Sequence, residues 1–185
     1  MTVTGESYVS IDVEASGPIP GEYSMLSIGA CIVGNARKRF YVELKPLNGN
    51  YVKEAVKVCG LSMRTLAKEG VEPDVAIRSF AKWVKSNSKG SMPVFCSWCT
   101  MDWLFMNWYL VKFGYPELFG PCGLDMKSYY AGMMNVGLAR SRKKYVIKEL
   151  KPEKKHTHNA LDDALEQAEL YENMFRFNSK RQSDD

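Results

Sequence analysis

The stretch YVSIDVEASGPIPGEYSMLSIGACIVGNARKRFYVEL, residues 8–44, predicts three consecutive β-strands. Residues 8–13 are mostly apolar or β-branched, and a cluster of glycines and prolines ends that strand. Apolar side chains then recur at every second position in residues 24–33 and again in residues 39–44. A Gly-Asn pair between these two segments is a tight-turn signal. We therefore expect an antiparallel three-strand meander.

The rest of the chain alternates between helical and strand-like segments, which favours an α/β fold with a mixed sheet flanked by helices. One segment, residues 101–113, is apolar on nearly every side and is predicted to be a buried helix. At 185 residues the chain fits one domain, predicted over residues 1–177 with a flexible tail at residues 178–185. The other predicted helices cover residues 52–59, 62–68, 74–85 and 161–175, one lies around Tyr129, and the short strands cover residues 93–96 and 123–126.

The amino-acid composition excludes few classes of protein function. The net charge of +4 is a weak indication of an anionic partner. No apolar run approaches the roughly 18 residues of a membrane span, and no secretion signal is evident at the N-terminus. The five cysteines, an odd number mostly within apolar stretches, indicate reduced thiols, so we expect a cytoplasmic protein without a membrane partner. Cys96 and Cys99 form a CxxC pair, so one hypothesis for this chain is a regulatory redox protein that uses these two thiols.

Asp12 and Glu14 lie two residues apart near the end of the first predicted strand, so their side chains project from the same face. The simplest interpretation is a strand end that turns polar at the surface. Their neighbours are apolar, however, and two close carboxylates repel each other unless a cation neutralises them. A ligand set made of oxygen atoms favours Mg²⁺ or Mn²⁺ over zinc.

The last predicted helix opens with two adjacent aspartates, and both histidines of the chain precede it. An aspartate at this position often only stabilises the positive helix end, but one would suffice for that. Asp162 falls on the polar flank with Glu166 and Glu169, whereas Asp163 falls at the edge of the apolar stripe. Asp163 is therefore the better candidate for an inward-facing ligand.

These segments resemble the DEDDh family of 3′–5′ exonucleases, which includes ribonuclease T and oligoribonuclease-type enzymes. The family's D-x-E motif, followed by small residues and glycine, matches residues 12–17, and its H-x-A-x-x-D motif matches residues 158–163. The resemblance spans essentially the whole chain. The middle motif departs from the pattern, because Trp98 stands where a polar residue is usual and Met101 replaces a phenylalanine. Asp102 matches its aspartate by placement, with Asp125 as the rival.

The resemblance implies a ribonuclease H-like fold and a metal-dependent 3′–5′ exonuclease that releases nucleoside 5′-monophosphates. It implies that Asp12, Glu14, Asp102 and Asp163 hold two Mg²⁺ or Mn²⁺ ions, ~3.5–4 Å apart. It also implies that His158 is the general base. His156 is the competitor, because it lies two residues earlier on the same extended segment and could project from the same side.

The expected substrate is the 3′ end of single-stranded RNA or DNA. The resemblance implies that Ala15, Ser16 and Gly17 let the backbone approach the terminal nucleotide closely. A basic run over residues 140–155 leads into the histidines, and in a plain reading it is a solvated surface. Its position next to the candidate base favours phosphate contacts instead. The lysines predicted to contact phosphates are Lys143, Lys144 and Lys155.

Two further properties follow from the resemblance. Ribonuclease T and oligoribonuclease form homodimers, so a homodimer is compatible with it. The alternative to an enzyme is a catalytically inactive nucleic-acid-binding domain of the same fold. The degraded middle motif favours that alternative, whereas four motif residues retained at their family spacing favour the enzyme.

Overall fold

A computed structural model of the chain describes residues 5–184. It contains one five-stranded sheet, and every strand predicted from the sequence is present. In chain order the elements are β1 (Glu6–Ala15), β2 (Met25–Ile32), β3 (Asn35–Glu43), α1 (Lys53–Cys59), α2 (Met63–Glu69), α3 (Pro73–Asn87), β4 (Met92–Ser97), α4 (Thr100–Lys112), β5 (Leu124–Asp125), α5 (Met126–Met134), α6 (Lys143–Leu150) and α7 (Ala160–Asp184).

The sheet is mixed, with strand order β3-β2-β1-β4-β5. The first three strands are antiparallel neighbours and form the predicted meander. β4 and β5 then add in parallel beside β1. The predicted α/β fold, a mixed sheet with an antiparallel three-strand meander plus parallel strands, is therefore confirmed.

The two faces of β1 have different partners. Val9, Ile11 and Val13 point into the larger hydrophobic core, which α3 and α4 cover with residues such as Phe80 and Phe105. The alternating residues of β1 face α7 instead. Ser10, for example, donates its hydroxyl to the carbonyl oxygen of Ala164 at 2.8 Å. The strand is therefore buried on both sides, and Ser10 and Asp12 both contact α7.

A close approach between β2 and the start of α7 sets the position of that helix. Gly29 is the cross-strand partner of Asp12. A Cβ atom at Gly29 would overlap the carbonyl group of Ala160 and the nitrogen of Leu161. Only glycine permits the helix backbone to lie directly on the strand. The first turn of α7 is thereby held next to Asp12.

One prediction about a helix was wrong, and one helix was not predicted. α4 is not buried on every side, because Leu104 and Val111 are 51% and 56% exposed. Its buried face is formed by Phe105, Tyr109 and neighbouring residues, so its apolar outer face is open to solvent. α6 was not predicted, since lysines dominate its sequence. It forms because Val146 and Leu150, one turn apart, pack into the second core under α7.

The final helix is longer than the sequence predicted. α7 continues past residue 175 to Asp184, so residues 178–184 of the predicted tail are helical. Asp185, the last residue of that predicted tail, lies outside the described residues. Across residues 5–184, no helix combines the length and the apolar composition that crossing a membrane requires.

Replacing Gly29 with alanine should force α7 off the sheet, because the overlap is with backbone atoms that no rotamer change can move. We expect Gly29→Ala to lower the free energy of unfolding by about 3 kcal/mol or more. The measurement is urea unfolding followed by tryptophan fluorescence. Gly49→Ala is the control, since a Cβ there meets open space, and it should stay within about 0.5 kcal/mol of the parent protein. A well-tolerated Gly29→Ala would contradict the close approach.

Candidate active site

Three predicted carboxylates meet at the carboxyl end of β1. Asp12 and Glu14 come from the strand, and Asp163 comes from the first turn of α7. Oxygen atoms of the three lie within 4.8 Å of one another. Asp163 is fully buried and Asp12 is 9% exposed, so the cluster lies at the edge of the core. The alternation along β1 and the position of Asp163 at the edge of the apolar stripe explain this convergence.

Asp102 joins the cluster from the first turn of α4. Its carboxylate accepts the N–H of Val13, which lies between Asp12 and Glu14 on β1, at 3.3 Å. The rival Asp125 has a different role, because its carboxylate accepts the N–H of Ser128 at 2.6 Å and caps α5. The structure therefore brings Asp102, and not Asp125, to the other motif carboxylates.

The cluster is electrostatically unfavourable by itself. Burial raises the pKa of Asp12 well above its usual value, and the charges of Asp102, Glu14 and Asp163 raise it further. Burial, with the charges of Asp163 and Asp102, raises the pKa of Glu14 to about 8. Burial also raises the pKa of Asp102 to about 7. A divalent cation would relieve this repulsion, and an all-carboxylate set fits Mg²⁺ or Mn²⁺.

Asp163 does not cap its own helix. The side chain of Asn159 accepts the N–H groups of Leu161 and Asp162 at 3.0 and 3.3 Å and so performs that task. The Asp163 oxygens accept the N–H groups of Thr157 and His158 at 2.7 and 3.0 Å. The carboxylate thus anchors the loop before α7 to the carboxylate cluster. Asp162 is exposed, as predicted from its flank of the helix.

Both histidines lie beside Asp163. The Nδ1 atom of His156 is 2.9 Å from an Asp163 oxygen, and the rings of His156 and His158 meet edge to face at 4.3 Å. His158 has a left-handed backbone, with φ of 60°, which turns the chain into the helix. The two histidines and Asp163 also hold atoms within 4.8 Å of one another, a second set of potential metal ligands.

Lys143 and Glu166 form an ion pair next to this loop. Glu166 is only 3% exposed, so its predicted place on the solvated flank of α7 was wrong. The unpredicted helix α6 covers it and brings Lys143 to it. The Lys143 ammonium also lies 3.2 Å from His156 Nδ1 and 5.9 Å from the centre of the Trp98 ring. Lys144 and Lys155 are exposed.

The small residues after Glu14 serve the fold of their own loop. The Ser16 hydroxyl donates to the Asn50 carbonyl at 2.8 Å and accepts the Ser24 N–H at 2.9 Å. A Cβ at Gly17 would overlap the ring of Tyr23. Ala15 is 8% exposed. These contacts give Ser16 and Gly17 a role in the fold without a substrate.

The sequence reasoning missed Gln167 as a member of the site. This buried residue lies one helical turn after Asp163, and its amide donates to an Asp12 oxygen at 2.6 Å. The signal was available in the spacing, because residues four apart share one face of a helix. What the sequence did not reveal was that the partner of Gln167 lies 155 residues earlier.

The CxxC pair does not support a redox site. Cys96 is fully buried in the second core, whereas Cys99 is exposed at the start of α4. Burial raises the pKa of both thiols above their usual value, which disfavours the reactive thiolate.

Comparisons with known proteins agree with this geometry. Residues 9–171 match the model of the RNase T family, described as exonuclease. The chain is 38% identical to the 3′–5′ DNA exonuclease Cap18 of Escherichia coli over 186 residues, which covers all of both chains. Two solved structures share the fold. The nuclease domain of 3′hExo, a DEDDh family member bound to rAMP, has a TM-score of 0.73 at 12% identity, covering 93% of this chain and 92% of that one. Exonuclease I of E. coli with a dT13 oligonucleotide has a TM-score of 0.71 at 13% identity, covering 97% and 43%.

The raised pKa of Glu14 predicts how the metal-free protein responds to pH. Between pH 4.5 and about 8 the folded state keeps the Glu14 proton that the unfolded state releases. This contribution to stability is fully present below pH 4.5 and is lost as pH rises through about 8. In EDTA, the free energy of unfolding should therefore fall more steeply with pH in the parent protein than in Glu14→Gln. Urea unfolding across this window measures both slopes.

Asp162→Asn is the matched control for that experiment, because it removes an exposed carboxylate from the neighbouring helix turn. Its stability should follow the pH dependence of the parent protein. Equal slopes for the parent protein and Glu14→Gln would show that Glu14 titrates normally, and would contradict the repulsion described for the cluster.

Proposed function

We propose the following mechanism for this chain, which belongs to the exonuclease family whose model matches residues 9–171. The chain is a 3′–5′ exonuclease, a hydrolase of a divalent-metal-dependent family that binds nucleic acid. The observation that carries the proposal is the convergence of oxygen atoms of Asp12, Glu14 and Asp163 within 4.8 Å of one another. Asp102 lies beside them, because its carboxylate accepts a hydrogen bond from β1. The comparisons do not favour the inactive binding domain, and Asp102 of the altered middle motif still accepts a hydrogen bond from β1.

The proposed substrate is the 3′ end of single-stranded DNA. The relative that is 38% identical over its full length is named a 3′–5′ DNA exonuclease, and this supports DNA over RNA. Exonuclease I of E. coli, which shares the fold at 13% identity, was solved in complex with a dT13 oligonucleotide. Hydrolysis from the 3′ end would release nucleoside 5′-monophosphates.

The proposed cofactors are two Mg²⁺ or Mn²⁺ ions held by Asp12, Glu14, Asp102 and Asp163. Burial raises the pKa values of Asp12, Glu14 and Asp102, and the neighbouring carboxylates raise those of Asp12 and Glu14 further, which supports cation binding at this point. Divalent ions here would offset the negative charge that builds up on the phosphate during hydrolysis.

His158 is the proposed general base, which takes the proton of the attacking water. The H-x-A-x-x-D register supports His158, and its ring is exposed beside Asp163. His156 has other partners, because its Nδ1 faces Asp163 and Lys143 at 2.9 and 3.2 Å. We propose that His156 helps to hold the loop and does not carry the proton.

The proposed phosphate contacts are Lys143, Lys144 and Lys155. Lys143 extends towards the carboxylate cluster and lies close to His156, which supports a contact near the scissile phosphate. Lys144 and Lys155 are exposed on the approach to the site. Close approach of the terminal nucleotide to Ala15, Ser16 and Gly17 stays a prediction.

Two properties of the whole molecule stay predictions as well. Five free cysteines support a reducing compartment such as the cytoplasm. The homodimer that family resemblance allows is testable by light scattering.

The reaction is tested with 5′-labelled single-stranded DNA and RNA of equal sequence. With Mg²⁺ or Mn²⁺ we expect a ladder that shortens from the 3′ end, faster on DNA, and none in EDTA. Asp163→Asn should abolish the ladder, because it removes a charge from the metal-binding cluster. Asp162→Asn, which alters the exposed neighbour, should retain activity. Full activity in excess EDTA would contradict metal dependence, and faster shortening of RNA would contradict the proposed substrate.

The two histidines are separated by turnover at saturating substrate and metal. Removal of a general base typically reduces the rate by about 10²–10⁴-fold, so we expect His158→Ala to lose activity on that scale. Its affinity for Mn²⁺ should change little. His156→Ala should lose far less turnover, since its contacts only support the loop. If His156→Ala were the inactive variant and His158→Ala the active one, the assignment of the base would be wrong.

A further inference from the structure

Gln167 connects two parts of the site that come from different elements. The residue is 1% exposed on α7. Its Nε2 donates to Asp12 Oδ1 at 2.6 Å, and its Oε1 accepts the backbone N–H of Trp98 at 3.0 Å. Because a backbone N–H can only donate, the amide oxygen must face Trp98. The amide nitrogen must therefore face Asp12.

This hydrogen bond fixes the orientation of the Asp12 carboxylate. A carboxylate is planar, so a donor that holds one oxygen also fixes the direction of the other. Asp12 lies within 4.8 Å of Glu14 and Asp163, where mutual repulsion favours turning the charged groups apart. The Gln167 amide opposes that rotation with a buried donor of its own.

The other end of Gln167 fixes the loop that leads to Asp102. Trp98 follows β4 and precedes Asp102 by four residues. Asp102 in turn accepts the N–H of Val13, next to Asp12. The amide therefore connects β1 and α7, which supply Asp12, Glu14 and Asp163, to the loop that leads into α4 and Asp102.

We infer that Gln167 is a positioning residue, which presets the Asp12 carboxylate for metal binding and ties it to the Asp102 loop. The inference rests on the metal dependence proposed above. Hydrogen-bond partners of metal ligands typically contribute about 10–100-fold to metal affinity or activity. A residue with only a structural role would contribute to folding but not to metal affinity.

Ser10 provides a matched control for that distinction. It is fully buried on the same face of β1, two residues before Asp12. Its hydroxyl donates to the carbonyl oxygen of Ala164, so it also joins β1 to α7 through one hydrogen bond. Unlike the hydrogen bond from Gln167 to Asp12, the hydrogen bond of Ser10 involves no carboxylate of the site. Ser10→Ala therefore weakens the same packing interface without touching a ligand.

The experiment is calorimetric titration of Mn²⁺ into the folded protein without nucleic acid. Gln167→Met, which preserves side-chain volume and removes both hydrogen bonds, should bind Mn²⁺ about 10–100-fold more weakly than the parent protein. Ser10→Ala should bind Mn²⁺ normally. In EDTA both variants should unfold at a lower temperature than the parent protein. Mn²⁺ should then raise the unfolding temperature less in Gln167→Met than in Ser10→Ala.

Gln167→Asn is the second variant, in case Gln167→Met does not fold. It keeps the amide but is one methylene too short to bridge Asp12 and Trp98, and it should also bind Mn²⁺ more weakly. Parent-like Mn²⁺ affinity in the folded Gln167 variants would overturn the inference. Failure of the parent protein itself to bind Mn²⁺ would instead overturn the proposed metal dependence on which the inference rests.

Discussion

The site depends on one steric constraint, the absence of a side chain at Gly29. A Cβ at this position would overlap the backbone of Ala160 and Leu161, so only glycine lets the first turn of α7 rest on β2. Asp12 is the cross-strand neighbour of Gly29. The helix therefore arrives beside Asp12, and the residues on its inner face, Asp163 and Gln167, reach the carboxylates of β1. Without this approach, the acidic groups of strand and helix would be held apart.

The same packing concentrates negative charge, which the fold partly offsets. Backbone N–H groups hold Asp102 and Asp163, and the Gln167 amide holds Asp12. These donors stabilise carboxylates but supply no full positive charge, and burial still raises the pKa of Asp12, Glu14 and Asp102. A divalent cation would offset this concentrated negative charge. A cation that binds only the folded state would stabilise it, because it would relieve the repulsion between these carboxylates.

The sequence predicted features whose cause is local. Period-two apolar residues specified the meander, and the spacing of strand and helix positions singled out Asp12, Glu14 and Asp163. Features that depend on distant partners were missed. Glu166 is buried because α6, itself hidden in a lysine-rich run, covers it. Gln167 has its partner 155 residues away, and Gly29 reads as an ordinary strand residue until Ala160 lies on it. The outer face of α4 is apolar and exposed, so apolar composition overstated its burial.

The most direct test of this account is a crystal structure of the protein grown with Mn²⁺, with the ions located by their anomalous scattering. The account predicts ions between β1 and α7, with ligands from Asp12, Glu14 and Asp163 and with Asp102 completing the site. The structure contains a competing set of ligands, His156, His158 and Asp163, whose nitrogen and oxygen atoms also lie within 4.8 Å of one another. Manganese bound only to that histidine set, with Asp12 and Glu14 free of metal, would contradict it.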